Sequence, residues 1–221
     1  VAVLTGDVLF ARASHLLAGL GPQAVRLQAE AFKRLVTGQI LETTGPPDGR
    51  DPVTHHLEVL TGRCGSLTAV SGRLGAMTAG AAPDIADTLA RFGERLGVAR
   101  RVAAEADTAL APALDRRPTL PLVLLRSRGT AADGASGGGA DRELYDLLTA
   151  GPADREPDAE AVARLRAHPV VADVRREAVR QADAARAALS PLPDGPAKSA
   201  LDGLCRAVIE RAGPRPATHG D

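Results

Sequence analysis

Aromatic residues make up only 2% of this 221-residue chain, and tryptophan is absent. That shortage argues against a nucleic-acid surface built on stacking platforms and against aromatic sugar sites. Lys plus Arg and Asp plus Glu stand at 27 each, so the chain carries no bulk field to attract nucleic acid or an anionic membrane. Any polyanion it binds must be held by a local cluster. Two cysteines, Cys64 and Cys205, form neither a metal-ligand spacing nor a disulfide framework, which suits a reducing cytoplasm. No apolar run reaches the roughly 18–20 residues of a membrane span. The opening "VAVLTGDVLF" has no basic segment of a signal peptide and no initiator Met. A fragment and a natural short subunit both remain open.

What the chain does have is alanine and helical periodicity. In "AVRLQAEAFKRLVTGQILE" the residues Val25, Ala29, Phe32, Val36 and Ile40 fall on one stripe. A second helix, from about Pro52 to Thr78, carries Leu57, Leu60, Cys64, Leu67 and Leu74 along one side. Its Gly62, Gly65, Gly72 and Gly75 each cost about 1 kcal/mol against Ala, which predicts close approach of another helix or a ligand. A third helix is expected from Pro83, with Asp84 as N-cap, to about Leu110. Residues 111–121 hold three prolines and read as a break. "RGTAADGASGGGAD" (128–141) reads as a flexible connection, and no Gly-Lys-Ser/Thr follows to make it a phosphate loop. Helices are predicted near 141–149, 157–167, 171–189 and 196–212. No strand-period segment or fixed-period repeat is visible, so the fold class is all-α. The first segment, with Val3, Leu4, Val8, Leu9, Leu16, Leu17 and Leu20, is apolar over a wide arc and expects to be covered.

Four stretches in fixed order carry a resemblance. "LTGDVLFARASHLL" (4–17), "LVTGQILE" (35–42), "TGRCGSL" (61–67) and "RPTLPLVLL" (117–125) resemble successive motifs of the trans-isoprenyl diphosphate synthases, the polyprenyl synthetase family. The ending "PLPDGPAKSALDGLCRAVIER" is also similar to that family's close. The resemblance implies one isoprenoid synthase helical bundle over 1–221, N-terminally short. It implies Mg²⁺-dependent prenyltransferase chemistry, in which isopentenyl diphosphate is added to an allylic diphosphate. Two D-D-x-x-D motifs on facing helices would hold the metals. It also implies a homodimer or heterodimer formed through helices 2–20 and 23–43.

The motif frame departs from the family at the metals. The spacing of D-D-x-x-D places its first and last carboxylates on one helix face. Here the second motif falls on Ala104, Glu105 and Thr108, so neither position of the facing pair is acidic. Asp107 lies about 200° around the helix from Glu105 and cannot share its metal. The first motif would lie on a helix preceding Gly6-Asp7. No intact metal site and no catalytic residue is therefore expected, with Glu105 the residual acid. The cationic half is better kept. Arg63 stands at the family's diphosphate-binding Lys, Arg117 at the Lys of its K-x-T loop, Thr119 at its Thr, and Arg101 stands near the metal positions. These four are the candidate diphosphate ligands.

Other candidates have simpler explanations. Asp84 and Asp87 fit a helix N-terminus. Asp154 and Asp158 read as solvated, and His55-His56 as a solvated pair lacking a third ligand. Cys64 reads as a small core-facing residue. Two functions follow: an isoprenyl diphosphate synthase homologue inactive as this chain alone, or a non-catalytic small subunit that modulates a catalytic partner.

Overall fold

Five prolines each open a helix, where a fixed φ helps and a missing N–H costs nothing. A computed structural model of the chain describes residues 2–107, 118–131, 138–150 and 158–213. The proline-initiated helices are α2 (Pro22–Thr44), α3 (Pro52–Leu60), α5 (Pro83–Ala106), α9 (Pro169–Ala188) and α10 (Pro196–Ala212). The others are α1 (Ala2–Ala18), α4 (Ser66–Thr78), α6 (Leu120–Ala131), α7 (Gly138–Thr149) and α8 (Ala159–Ala167). Among the described residues there is no strand, and no helix is long and apolar enough to cross a membrane. The all-α expectation holds.

Several boundaries differ from the expected ones. The helix predicted over 52–78 is interrupted by a π-helical turn, Thr61–Gly65, between α3 and α4. α5 ends at Ala106, and Leu110 lies outside the described residues. The break expected over 111–121 is already helical at Leu120, because Pro121 is tolerated in a first turn. The connection expected over 128–141 is helical at both ends, since α6 runs to Ala131 and α7 begins at Gly138. Asp84 is not the N-cap of α5. Pro83 occupies the first helical position, which moves the cap to Ala82 and leaves Asp84 in the first turn. Asp87 pairs with Arg73 rather than capping. Asp158, exposed as expected, caps α8 by accepting from the Glu160 N–H. Asp154 lies outside the described residues.

α5 is the central helix, packed most extensively against α4 and α9. Its buried residues Phe92, Leu96, Ala99, Val102 and Ala103 join Leu60, Val174, Ala178 and Leu189 in the main core. A second cluster under α6, α7 and α8 holds Leu125, Leu144, Leu148, Leu165 and Val170. The antiparallel contact of α5 with the α3–α4 helix runs on glycine. A Cβ on Gly97 would fall 2.1 Å from Thr68 Oγ1 and 2.8 Å from the Cys64 carbonyl; one on Gly93 would fall 2.3 Å from the Thr68 carbonyl. One on Gly72 would fall 2.6 Å from the Leu89 carbonyl. Of the four glycines expected to admit a close neighbour, Gly62 meets α2 and Gly65 and Gly72 meet α5, whereas Gly75 has nothing within 4 Å of an added Cβ.

α2 turns its apolar stripe the other way from the simplest expectation. Its buried residues are the small Ala24, Ala31 and Gly38, whereas Val25, Phe32 and Ile40 are exposed. Phe32 meets Phe10 of α1 with ring centroids 4.7 Å apart. Among the described elements α1 packs only on α2, and Val3, Leu4, Val8, Leu9 and Leu16 remain exposed.

Candidate functional site

The close approach permitted by glycine continues in register along both helices. The contacts Gly72–Leu89, Thr68–Gly93 and Cys64–Gly97 step by four residues on each chain segment, and His56–Glu105 completes the same row. A helix face recurs about every four residues, so one geometry serves packing at one end and an ionic site at the other.

Glu105 is the hub of that site, with no exposed side-chain surface. One carboxylate oxygen accepts from His56 Nε2 at 3.0 Å and from the Leu120 backbone N–H at 2.8 Å. The other accepts from Arg101 Nε at 2.9 Å, an i−4 pair on α5. An ionised carboxylate only accepts, so His56 carries its proton on Nε2 in this contact. The bond to Leu120 places a negative charge at the N-terminus of α6, where the helix dipole favours it. Burial works to raise the Glu105 pKa, but His56, the Leu120 N–H and Arg101 together outweigh it and hold the carboxyl below its ordinary 4.5. Three helices, α3, α5 and α6, are tied through one side chain.

His55 and His56 are not solvated. They are 6% and 4% exposed, because α3 is covered on two sides. His56 faces α5 through Glu105, and His55 Nε2 lies 3.0 Å from the Leu41 carbonyl of α2. Nothing local in the sequence paired His56 with a residue 49 positions away; the only available signal was the shared register of two glycine-bearing helices.

Arg63 lies on the π-helical turn and donates from Nη1 to Glu42 Oε1 of α2 at 2.5 Å. Its side chain is 19% exposed and that of Arg101 is 24% exposed. Cys64 is half-buried rather than in the core; burial raises its thiol pKa, opposed first by Arg101 and then by Arg63. The Arg63 side chain lies along α2, where a Cβ on Gly38 would fall 3.0 Å from its Cγ, while Arg101 stays on the α5 face of its Glu105 pair. Thr119 is half-buried, and its carbonyl accepts from the Val123 N–H in the first turn of α6. Arg117 and Thr108 lie outside the described residues. Of the four sequence candidates, Arg63 is engaged by Glu42 of α2 and Arg101 by Glu105 of α5, and Thr119 lies one residue from the Glu105 contact. Ala104 contributes only a methyl group.

Comparison with known proteins gives this arrangement a context. The chain is 36% identical over 226 residues to the nonaprenyl diphosphate synthase of Mycobacterium tuberculosis, a match covering 96% of the chain and 64% of the relative. It superposes with a TM-score of 0.78 and 33% identity on geranylgeranyl pyrophosphate synthase from Corynebacterium glutamicum, solved with calcium and isoprenyl diphosphate. That match covers 96% of the chain and 67% of the other protein. The chain belongs to the polyprenyl synthetase family. The family's sequence profile matches residues 1–103, from α1 to two residues short of Glu105. A polyprenyl synthase from Caulobacter crescentus, also with calcium and isoprenyl diphosphate, superposes at a TM-score of 0.77 with 25% identity and covers 96% of the chain and 66% of its own length. The chain thus spans just under two-thirds of the curated synthase's length. Within the family's all-α frame, α5 carries Glu105 and the π-helical turn carries Arg63.

Proposed function

We propose that this chain is an isoprenyl diphosphate synthase homologue that recognises a diphosphate but does not, by itself, carry out Mg²⁺-dependent prenyl transfer. Prenyl transfer expels pyrophosphate, whose concentrated negative charge must be neutralised while an allylic cation forms. In this family divalent metal supplies that neutralisation, so the donors at the second Asp-rich position decide the matter. They do not fit a metal. Both Glu105 oxygens are already engaged by His56, Leu120 and Arg101, and the side chain has no exposed surface. Ala104 offers no ligand, and the described residues contain no group of three His, Cys, Asp or Glu able to hold an ion. The single observation that carries the reading is the engagement of both Glu105 oxygens by donors of the chain itself.

The test is incorporation of labelled isopentenyl diphosphate by the purified chain, given an allylic diphosphate, with and without Mg²⁺. The expected outcome is no Mg²⁺-dependent product. Product formation that requires Mg²⁺ would mean that other carboxylates assemble into a site, and the reading would fall.

A second role is favoured by a separate observation. The exposed apolar residues Val3, Leu4, Val8, Leu9 and Leu16 of α1, with Val25 and Ile40 of α2, are more than a monomer ordinarily leaves open. They support pairing through these two helices, with a second copy or as a small subunit on a catalytic synthase. Leu9→Glu combined with Leu16→Glu should abolish pairing in light scattering without lowering the melting temperature of the monomer. An unchanged molar mass in the variant, or a wild type already monomeric with every synthase subunit tried, would remove this role.

A further inference from the structure

A cavity of about 350 Å³ lies between α3 and α6, at the small end of the range for ligand sites. Helical spacing builds both of its walls. Val123, Arg126, Ser127 and Thr130 recur at three and four residues along α6, and Pro52, His56 and Val59 do the same along α3. Pro46, from the chain between α2 and α3, lines it as well. Most of this lining is hydrocarbon, so an apolar body is what the walls favour.

Charge decides the rest. Glu42 lines the cavity but is paired with Arg63. His55 gives its Nε2–H to the Leu41 carbonyl and His56 gives its own to Glu105. Arg126 is left over: among the described residues it has no ion-pair partner, whereas Arg128, two positions on, pairs with Asp173. One unmatched positive charge therefore stands beside apolar walls. We propose that this cavity binds a small monocarboxylate with an apolar body, its carboxylate held by Arg126 and its hydrocarbon against Val59, Val123 and the prolines. A guanidinium fork matches the two oxygens of a carboxylate. A dianion would bring a second negative charge beside Glu42 with no cation to meet it. Thr130 turns its hydroxyl back onto the Arg126 and Ser127 carbonyls, but the buried Ser127 hydroxyl has no partner among the described residues. A ligand oxygen supplies one. These contacts use neither Arg101 nor Glu105, so the site is independent of the metal question.

The experiment is isothermal titration of the full chain with octanoate below its micellar concentration, beside 1-octanol (tail without charge) and acetate (charge without tail). Octanoate should bind saturably, one per chain, and at least tenfold more tightly than either control. Arg126→Gln should weaken octanoate about tenfold, or ~1.4 kcal/mol, and leave octanol unchanged. Val123→Trp, which fills the cavity, should remove octanoate binding. Leu9→Glu with Leu16→Glu, which breaks up the exposed apolar face of α1, should change nothing. Thermal melts identify any variant that fails to fold, and Arg126, exposed on α6, provides a test that does not disturb the core. No saturable octanoate binding would overturn the proposal. So would octanol binding as tightly as octanoate, which assigns recognition to the tail alone, or octanoate binding that Arg126→Gln leaves intact. Loss of binding in the α1 double variant would place the fatty acid on that face and overturn it too.

Discussion

Replacing Glu105 with Gln removes one charge from a side chain with no exposed surface while keeping its shape. Three donors converge there: His56 Nε2–H, the Leu120 N–H and Arg101 Nε–H. A carboxamide has one acceptor oxygen. If that oxygen serves His56 and Leu120, its NH₂ group faces Arg101; if it serves Arg101, two buried donors are left unmet. Hydrogen bonds to a charged group contribute about 1.5–3 kcal/mol, and breaking a fully buried pair costs about 3–5 kcal/mol. Arg101 is 24% exposed and can turn toward water, which lowers the cost to about 2–4 kcal/mol. At about 2–4 °C per kcal/mol for a chain of this size, the melting temperature should fall by about 5–15 °C. The effect should also depend on pH. The folded state holds the Glu105 carboxyl below its ordinary 4.5, so its stabilisation is complete above that value and is lost as pH falls through the lower folded pKa. The gap between wild type and Glu105→Gln should therefore narrow at acid pH. Urea titration at neutral pH and near pH 3 provides the measurement. A loss below about 1 kcal/mol at neutral pH, or a gap that does not narrow with acid, would refute the hub.

Further outcomes follow from the same contacts. Gly97→Ala and Gly93→Ala should each destabilise by about 1–3 kcal/mol, because the new methyl group meets α4 backbone or Thr68 Oγ1 well inside contact distance. Gly75→Ala, with nothing within 4 Å, should instead stabilise by about 0.5–1 kcal/mol in the same denaturation assay. The Ser127 hydroxyl is buried without a partner among the described residues, so Ser127→Ala should be neutral or raise stability by about 1 kcal/mol; a clear loss would reveal a missed bond. Adding Mg²⁺ or Ca²⁺ should leave the melting temperature of the chain unchanged, since a ligand that binds only the folded state must raise it with concentration. A saturable rise would restore a metal site.

The sequence was informative where structure is local or periodic. Alanine-rich spacing and proline positions located the helices to within a few residues, and the motif frame led to Glu105, Arg63 and Arg101 before any geometry was known. It failed where two surfaces compete for one helix. Adjacent residues on a helix point about 100° apart, so burying both His55 and His56 requires neighbours on two sides, and a one-face reading left them in water. On α2, spacing found a coherent apolar stripe but could not say whether it faced a core or an interface; Ala24, Ala31 and Gly38 took the inside because helices approach closely there. The π-helical turn had no periodic signal either, since it is an insertion of one hydrogen-bond step rather than a change of pattern.

The residues around Glu105 are physically coupled. A carboxylate with no exposed surface needs a cation or several hydrogen bonds, otherwise it would take up a proton or destabilise the fold. Ala104 cannot help to hold a metal, so the compensating charge must come from the chain. Arg101, four residues earlier on the same face, supplies it at 2.9 Å, while His56 and the start of α6 take the other oxygen. Once that network forms, Glu105 ties α3, α5 and α6 together through one side chain. Restoring an acid at position 104 alone would then place a second carboxylate beside an arginine already committed to the first. Metal chemistry at this site would require releasing Glu105 as well, and its release removes the link between three helices.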